Sequence, residues 1–321
     1  MKRFVILLVA ILAVVGLWTG GWFYVAGQVR ANIAAYAEAD GVATPRITCA
    51  MLDVGGFPFK FSPHCAEPEI VSGDYTIRLA DLAGTALFYR PNHLQIFANG
   101  PAQIVDAFTG SEQQVSWSSL RASLRLEGGE LERLSVVADD IVYADALFGD
   151  ATYAEATHAE FHVLDAVVDD EASMPGNVVD LYLMLEGVNS VPLGIADGTG
   201  DIDARLTGMP PMALWGHPDF LRIWAGNGGV AMLRDLSLDA DTVMVNATGE
   251  ARVSETGLIE ASLELASEGV IERIDALQAD PRAPLLTGAP DDEGIYRQNI
   301  SVRGGTVFVG LIPVMGLAPI F

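Results

Sequence analysis

His158, Glu160 and His162 have the side chains and the spacing to hold a divalent metal. In a strand, successive side chains alternate, so these two imidazoles and one carboxylate share a face. The competing account makes Thr157, Ala159, Phe161 and Val163 the buried face and leaves the polar three in water; that account, with no metal or other cofactor, is the one expected. Asp197, Asp201 and Asp203, around Gly198 and Gly200, offer the oxygen ligands calcium takes. The calcium-loop spacing with its terminal Glu is missing, so a solvated hairpin turn is expected there. Asp169-Asp170-Glu171 and Asp291-Asp292-Glu293 read as exposed loops, and His64, His93 and His217, beside prolines, as turn residues rather than bases. G-x-S-x-G, the phosphate-binding P-loop, H-E-x-x-H and G-x-G-x-x-G are all absent. Without a nucleophile and base at workable spacing, the expectation is that the protein is not an enzyme.

The other reactive pair is Cys49 and Cys65, the only cysteines, which bracket a Gly-Gly-Phe-Pro-Phe block. What they do depends on the compartment. Lys2 and Arg3 precede an uncharged run from Phe4 to Gln28, long enough as a helix to cross a hydrocarbon core of about 30 Å. Tyr24-Val25-Ala26 is a poor cleavage signature, so an uncleaved signal anchor is expected. Trp18, Trp22, Phe23 and Tyr24 would form an aromatic belt, and the leading positive charges keep their own end in the cytoplasm. The expected organisation is residues 1–3 cytoplasmic, 4–28 a single transmembrane span, 29–44 a helical stalk and 45–321 an exported β-rich body. Outside the reducing cytosol an even pair of cysteines reads first as a disulfide, closing a loop whose chain-entropy contribution is about 3 kcal/mol. Gly55-Gly56 suits a tight turn, making this stretch a stapled hairpin in which Phe57, Phe59 and Phe61 alternate onto one apolar face.

Those residues need a scaffold, and the dominant period after residue 44 is two. Ile259, Ala261, Leu263 and Leu265 alternate with Glu260, Ser262 and Glu264, and the same pattern recurs in "RASLRLEGG", "ATHAEFHVLD", "DIDARL" and "RQNISVRGG". Turns are expected at Glu127 to Glu130, Asp197 to Gly200, Thr256-Gly257 and Arg303 to Gly305. The fold class is therefore mainly β: an N-terminal transmembrane helix, then a large antiparallel amphipathic sheet, either an open groove or a sandwich. Two short helices interrupt it, one after Pro218-Asp219 ending at Gly226 to Gly229, the other placing Val270, Ile271, Ile274 and Leu277 on a stripe. The apolar tail, Leu311 to Phe321, is expected to dock on the body, the alternative being a peptide presented to a partner. A net charge of −24 leaves no basic stripe for nucleic acid.

The Cys-flanked Gly-Gly-Phe-Pro-Phe block, "FYRPNHLQIFANGP", the helix from Trp224 to Gly229 leading into "LRDLSLDADTVMVNATGE", and the closing "VGLIPVMGLAPIF" resemble the bacterial inner-membrane-anchored family catalogued as domain of unknown function 2125. The resemblance implies an anchored, β-rich periplasmic body in a two-membrane bacterium, with no assigned activity. A looser likeness to AsmA-type envelope proteins suggests lipid handling by analogy. Two functions compete at this level. Either an open apolar sheet face binds acyl chains of lipid or lipoprotein, or a closed sheet serves as an envelope scaffold or protein-interaction module. Alternation shows that one face is apolar but not whether a second sheet covers it.

Overall fold

The computed structural model describes residues 2–42, 44–147, 151–166, 176–273 and 287–321. The long helix α1 (Lys2–Ala35) is followed by a 3-10 turn, Tyr36–Glu38, as the helix-forming run before Gly41 requires. It is long and apolar enough to cross a membrane, with a mean hydropathy of 2.5 over its most apolar window.

Everything after it is dominated by strands, which make up 57% of the chain. The first ten form five runs of extended chain, each interrupted by two residues. These are β1 (Arg46–Thr48) with β2 (Met51–Gly55), β3 (Lys60–Ala66) with β4 (Glu69–Ser72), β5 (Tyr75–Arg78) with β6 (Asp81–Leu87), β7 (Arg90–Asn99) with β8 (Ala102–Asp106), and β9 (Glu112–Ser116) with β10 (Ser119–Glu127). Longer strands follow: β11 (Glu130–Asp145), β12 (Thr152–Asp165), β13 (Asn177–Ser190) and β14 (Ile195–Met209). After helix α2 (Phe220–Gly226) come β15 (Val230–Ala240), β16 (Val243–Val253), β17 (Ile259–Glu268), β18 (Tyr296–Arg303), β19 (Thr306–Val309) and β20 (Ile312–Gly316).

All pairings are antiparallel, and they follow the chain as one meander. The main row runs β2-β3-β6-β7-β10-β11 and then strand by strand to β20. The other halves of the interrupted runs, β1-β4-β5-β8-β9, continue onto the far part of β11. Asp140, at φ 52°, sits in β11 between the parts paired to β10 and to β9, so the line of interruptions continues into the longer strands. Among the described residues the sheet does not close. The accessible surface is 19429 Å² for a 34.1 kDa chain, against about 12,800 Å² for a compact protein of that mass. The exposed helix α1 and the open sheet contribute to that excess.

The expected strands all form, as do the turns at Gly128-Gly129, Thr256-Gly257 and Gly304-Gly305 and the helix after Asp219. The tail docks: Ile312–Gly316 pairs with β19, the Ile320 amide donates to the Gly257 carbonyl at 2.9 Å, and Arg222 lies 5.1 Å above the Phe321 ring.

Three expectations need correction. Asp197 to Gly200 is not a turn but part of β14; the chain reverses earlier, at residues 191–194. Gly198 marks close approach rather than reversal, since a Cβ there would stand 3.1 Å from the Ile195 side chain and 3.3 Å from Ala240. His64 and His93 lie in β3 and β7, because Pro63 is accommodated opposite Val54 and Pro91 at the start of its strand. Phe57 and Phe59 lie in the β2–β3 turn, so strict alternation with Phe61 fails. Of the second helix, a 3-10 turn at Ile271–Arg273 is described; Ile274 and Leu277 lie outside the described residues, as does Asp169-Asp170-Glu171.

Candidate functional site

The stapled hairpin sits against the helix. Cys49 and Cys65 are bonded, with their Cα atoms 5.3 Å apart, which ties the start of β2 to the end of β3. Phe61 is buried and stacks on Trp22 at 5.5 Å and 13°, Phe57 packs on both Trp22 and Phe23, and Phe59 lies 6.3 Å from Trp18. The three rings singled out by the sequence thus meet one helix although they share no strand. Trp18 and Trp22 also donate their indole N–H groups to the Pro58 and Lys60 carbonyls, at 3.2 and 3.0 Å. Sequence reasoning treated these tryptophans only as an interfacial belt. It missed Phe88, whose ring lies 4.5 Å from Trp18; the aromatic pair Phe88-Tyr89 between two strands was the available signal.

From Phe61 an unbroken apolar row crosses the sheet. Register places Phe61, Ala86, Leu94, Leu124, Leu134, Val163, Leu181, Ala204, Leu233, Gly249, Leu263, Ile300, Val309 and Ile312 opposite one another on successive strands. At about 4.8 Å per strand this row is about 60 Å long. Only Phe61 and Val163 among these residues are buried; the others are half-buried, as befits a face with nothing among the described residues laid along most of its length. Two features cover parts of it. Near the helix, Ile33 helps line an apolar pocket of about 190 Å³ with Leu52, Cys65, Leu82, Leu94 and Ile96. Further along, α2 sets Trp224 into a core of Leu131, Val163, Val179 and Met209.

The opposite face is polar and internally paired. His158, Glu160 and His162 do share this face, with Nε2 of each histidine on one oxygen of Glu160, at 3.2 and 2.9 Å, while His158 Nδ1 meets Asp139 at 2.7 Å. They are half-buried rather than freely solvated. Tyr182 stacks on His162 and donates to Asp201 at 2.7 Å; Asp203 meets Arg234 at 2.9 Å, and Asp180 takes both Arg205 and Arg234 at 2.7 Å. The aspartates considered for calcium are therefore spread along a strand and engaged by other side chains or, for Asp197, exposed. Among the described residues no group of three or more His, Cys, Asp or Glu is arranged to hold a metal.

This ladder makes stability pH-dependent. Hydrogen bonds donated by His158 to Asp139 first and Glu160 second raise its titration above 6.5, and those donated by His162 first and His158 second lower the Glu160 carboxyl below 4.5. The stabilisation from His158 is complete below its ordinary value and is lost as pH rises through the raised one. That from Glu160 is complete above its ordinary value and is lost as pH falls through the lowered one. Both are engaged between about pH 4.5 and 6.5. The unfolding temperature is expected to fall from pH 6 to pH 8.5, and His158→Gln to flatten that slope by about 2–4 °C. Equal slopes in scanning calorimetry would contradict this.

An apolar helix of membrane-spanning length, packed on one end of an open sheet with one apolar face, defines an amphipathic-sheet protein with an N-terminal apolar helix. The sequence model of the family DUF2125, described as an uncharacterized protein conserved in bacteria, matches residues 22–318, and the chain belongs to that family. No curated protein matches the sequence.

Proposed function

We propose that this is a single-span envelope protein of the bacterial inner membrane, with its body in the periplasm. Its open apolar face binds acyl chains of lipid or lipoprotein, and it acts as a carrier rather than a catalyst. The observation that carries this reading is the continuity of the apolar row with the anchor: the row begins at Phe61, the ring stacked on Trp22, and continues half-buried across the sheet. An acyl chain following the helix out of the bilayer would meet this face first. Each methylene transferred onto it from water contributes about 0.8 kcal/mol. The polar face, with its aspartates paired to arginine and tyrosine, suits the water side of such a sheet.

The test is photo-crosslinking of the full-length protein in liposomes containing a phospholipid with a photoactivatable acyl chain, with the labelled peptides mapped by mass spectrometry. Labels are expected on β13 to β18 as well as on α1. Crosslinks confined to residues 4–35 would refute acyl binding by the sheet.

A further inference from the structure

Two hairpin turns beside the anchor expose aromatic rings at a level along α1 where a spanning helix is still inside the bilayer. A hydrocarbon core of about 30 Å takes about 20 helical residues, so a span starting at Phe4, directly after Lys2 and Arg3, reaches about Phe23. Trp18 lies about 7 Å inside that limit. It holds the Pro58 carbonyl and packs on Phe59 and Phe88, so the turns carrying those residues stand at the same depth. Their rings face outward: Phe57 is 49% exposed, Phe59 64%, Phe88 42% and Tyr89 68%. Four large apolar groups held in water at adjacent turns would be unfavourable, but they suit lipid.

Four carbonyls at and beside the first turn are paired within the protein. The Gly56 carbonyl accepts the Lys60 amide at 3.1 Å, Pro58 accepts Trp18, Phe59 accepts the Phe88 amide at 2.9 Å, and Lys60 accepts Trp22. Pro58 has no N–H to satisfy. In hydrocarbon an unpaired carbonyl would cost several kcal/mol, so each of these four bonds lowers the cost of immersing the turn. Lys60 and Arg90 follow the two aromatic turns, where a long cationic side chain can reach lipid phosphates. Lys60 is one of only two lysines in a chain of net charge −24, so its position beside the anchor stands out against an acidic surface.

From these contacts we infer that the β2–β3 and β6–β7 turns insert into the leaflet on the body side of the membrane and form an aromatic collar around the anchor. The occupant of this surface is the lipid bilayer itself. The collar fixes the apolar face at the membrane surface, with the row beginning at Phe61 opening directly to lipid. This rests on α1 spanning the membrane as proposed above.

The test uses full-length protein with the native disulfide intact and single added cysteines carrying an environment-sensitive fluorophore, in liposomes of phosphatidylethanolamine and phosphatidylglycerol with chain-brominated lipid. The labelled variants are Phe59→Cys and Tyr89→Cys, with Leu8→Cys as the buried reference and Leu193→Cys, in the turn at residues 191–194, as the aqueous one. Labels at 8, 59 and 89 are expected to lose about half their emission to brominated chains and to resist iodide, with 193 behaving oppositely. Quenching at 8, with 59 and 89 behaving like 193, would overturn the collar and leave the span intact. No quenching at 8 would overturn both the span and the collar.

Discussion

Replacing Leu233 and Leu263 together by Asp is expected to lower acyl crosslinking to the sheet by at least about tenfold, the equivalent of about 1.4 kcal/mol. Both side chains belong to the apolar row and flank Gly249, which register places between them. Both are half-buried and lie outside the core around Trp224, so a carboxylate there can stay hydrated while the face is empty. An acyl chain lying over it would have to strip that water away, and this penalty exceeds what the two leucine side chains contribute to holding the chain. Asn246→Asp is the matched control, because Asn246 is exposed on the polar face and faces Ser237 and Ala266 rather than a carboxylate. It should leave crosslinking within about twofold of wild type, a surface change of the kind that costs little. If the double variant and the control crosslink equally, with unfolding temperatures unchanged, the apolar row is not where acyl chains lie.

That experiment depends on a property the sequence states only halfway. The alternation Ile259, Ala261, Leu263, Leu265 gives the strand and its apolar side directly, because a period of two has one structural meaning when turns bound it. Whether a second layer covers that side depends on how distant strands stack, and no local pattern encodes this. The same limit applies in β14. Gly198 looks like a turn residue in isolation, and only the neighbouring Ile195 and Ala240 show why a side chain there would be crowded. Phe57, Phe59 and Phe61 were legible as one apolar group but not as strand alternation. What gathers them is a helix more than thirty residues earlier in the chain, through Trp18 and Trp22. The disulfide was legible because, once export was expected, an even pair of cysteines reads first as a bonded pair.

Trp224→Ala is expected to destabilise the body by about 3–5 kcal/mol, the range for emptying a large aromatic site. Its indole is 8% exposed, packs on Leu131, Val163, Val179 and Met209, and donates to the Thr207 carbonyl at 2.8 Å. Gly229 is part of the same arrangement, since a Cβ there would stand 2.2 Å from the indole nitrogen and only glycine leaves room for the ring. Asn227 donates to the Gly208 carbonyl at 3.1 Å and the Met212 amide to Glu130 at 2.9 Å, so the segment around α2 is tied down at several points. Those ties make α2 a fixed plug on the apolar face rather than a lid. Trp224→Phe, which keeps most of the ring volume and loses the indole donor, should therefore cost only about 1–2 kcal/mol. Denaturant unfolding of the two variants, alongside acyl crosslinking, separates the alternatives. A fixed plug gives a large stability loss for Ala, a small one for Phe and little change in crosslinking for Phe. A lid would instead leave the stability of both near wild type while raising crosslinking at Leu181 and Leu206, the row and face residues that the plug covers.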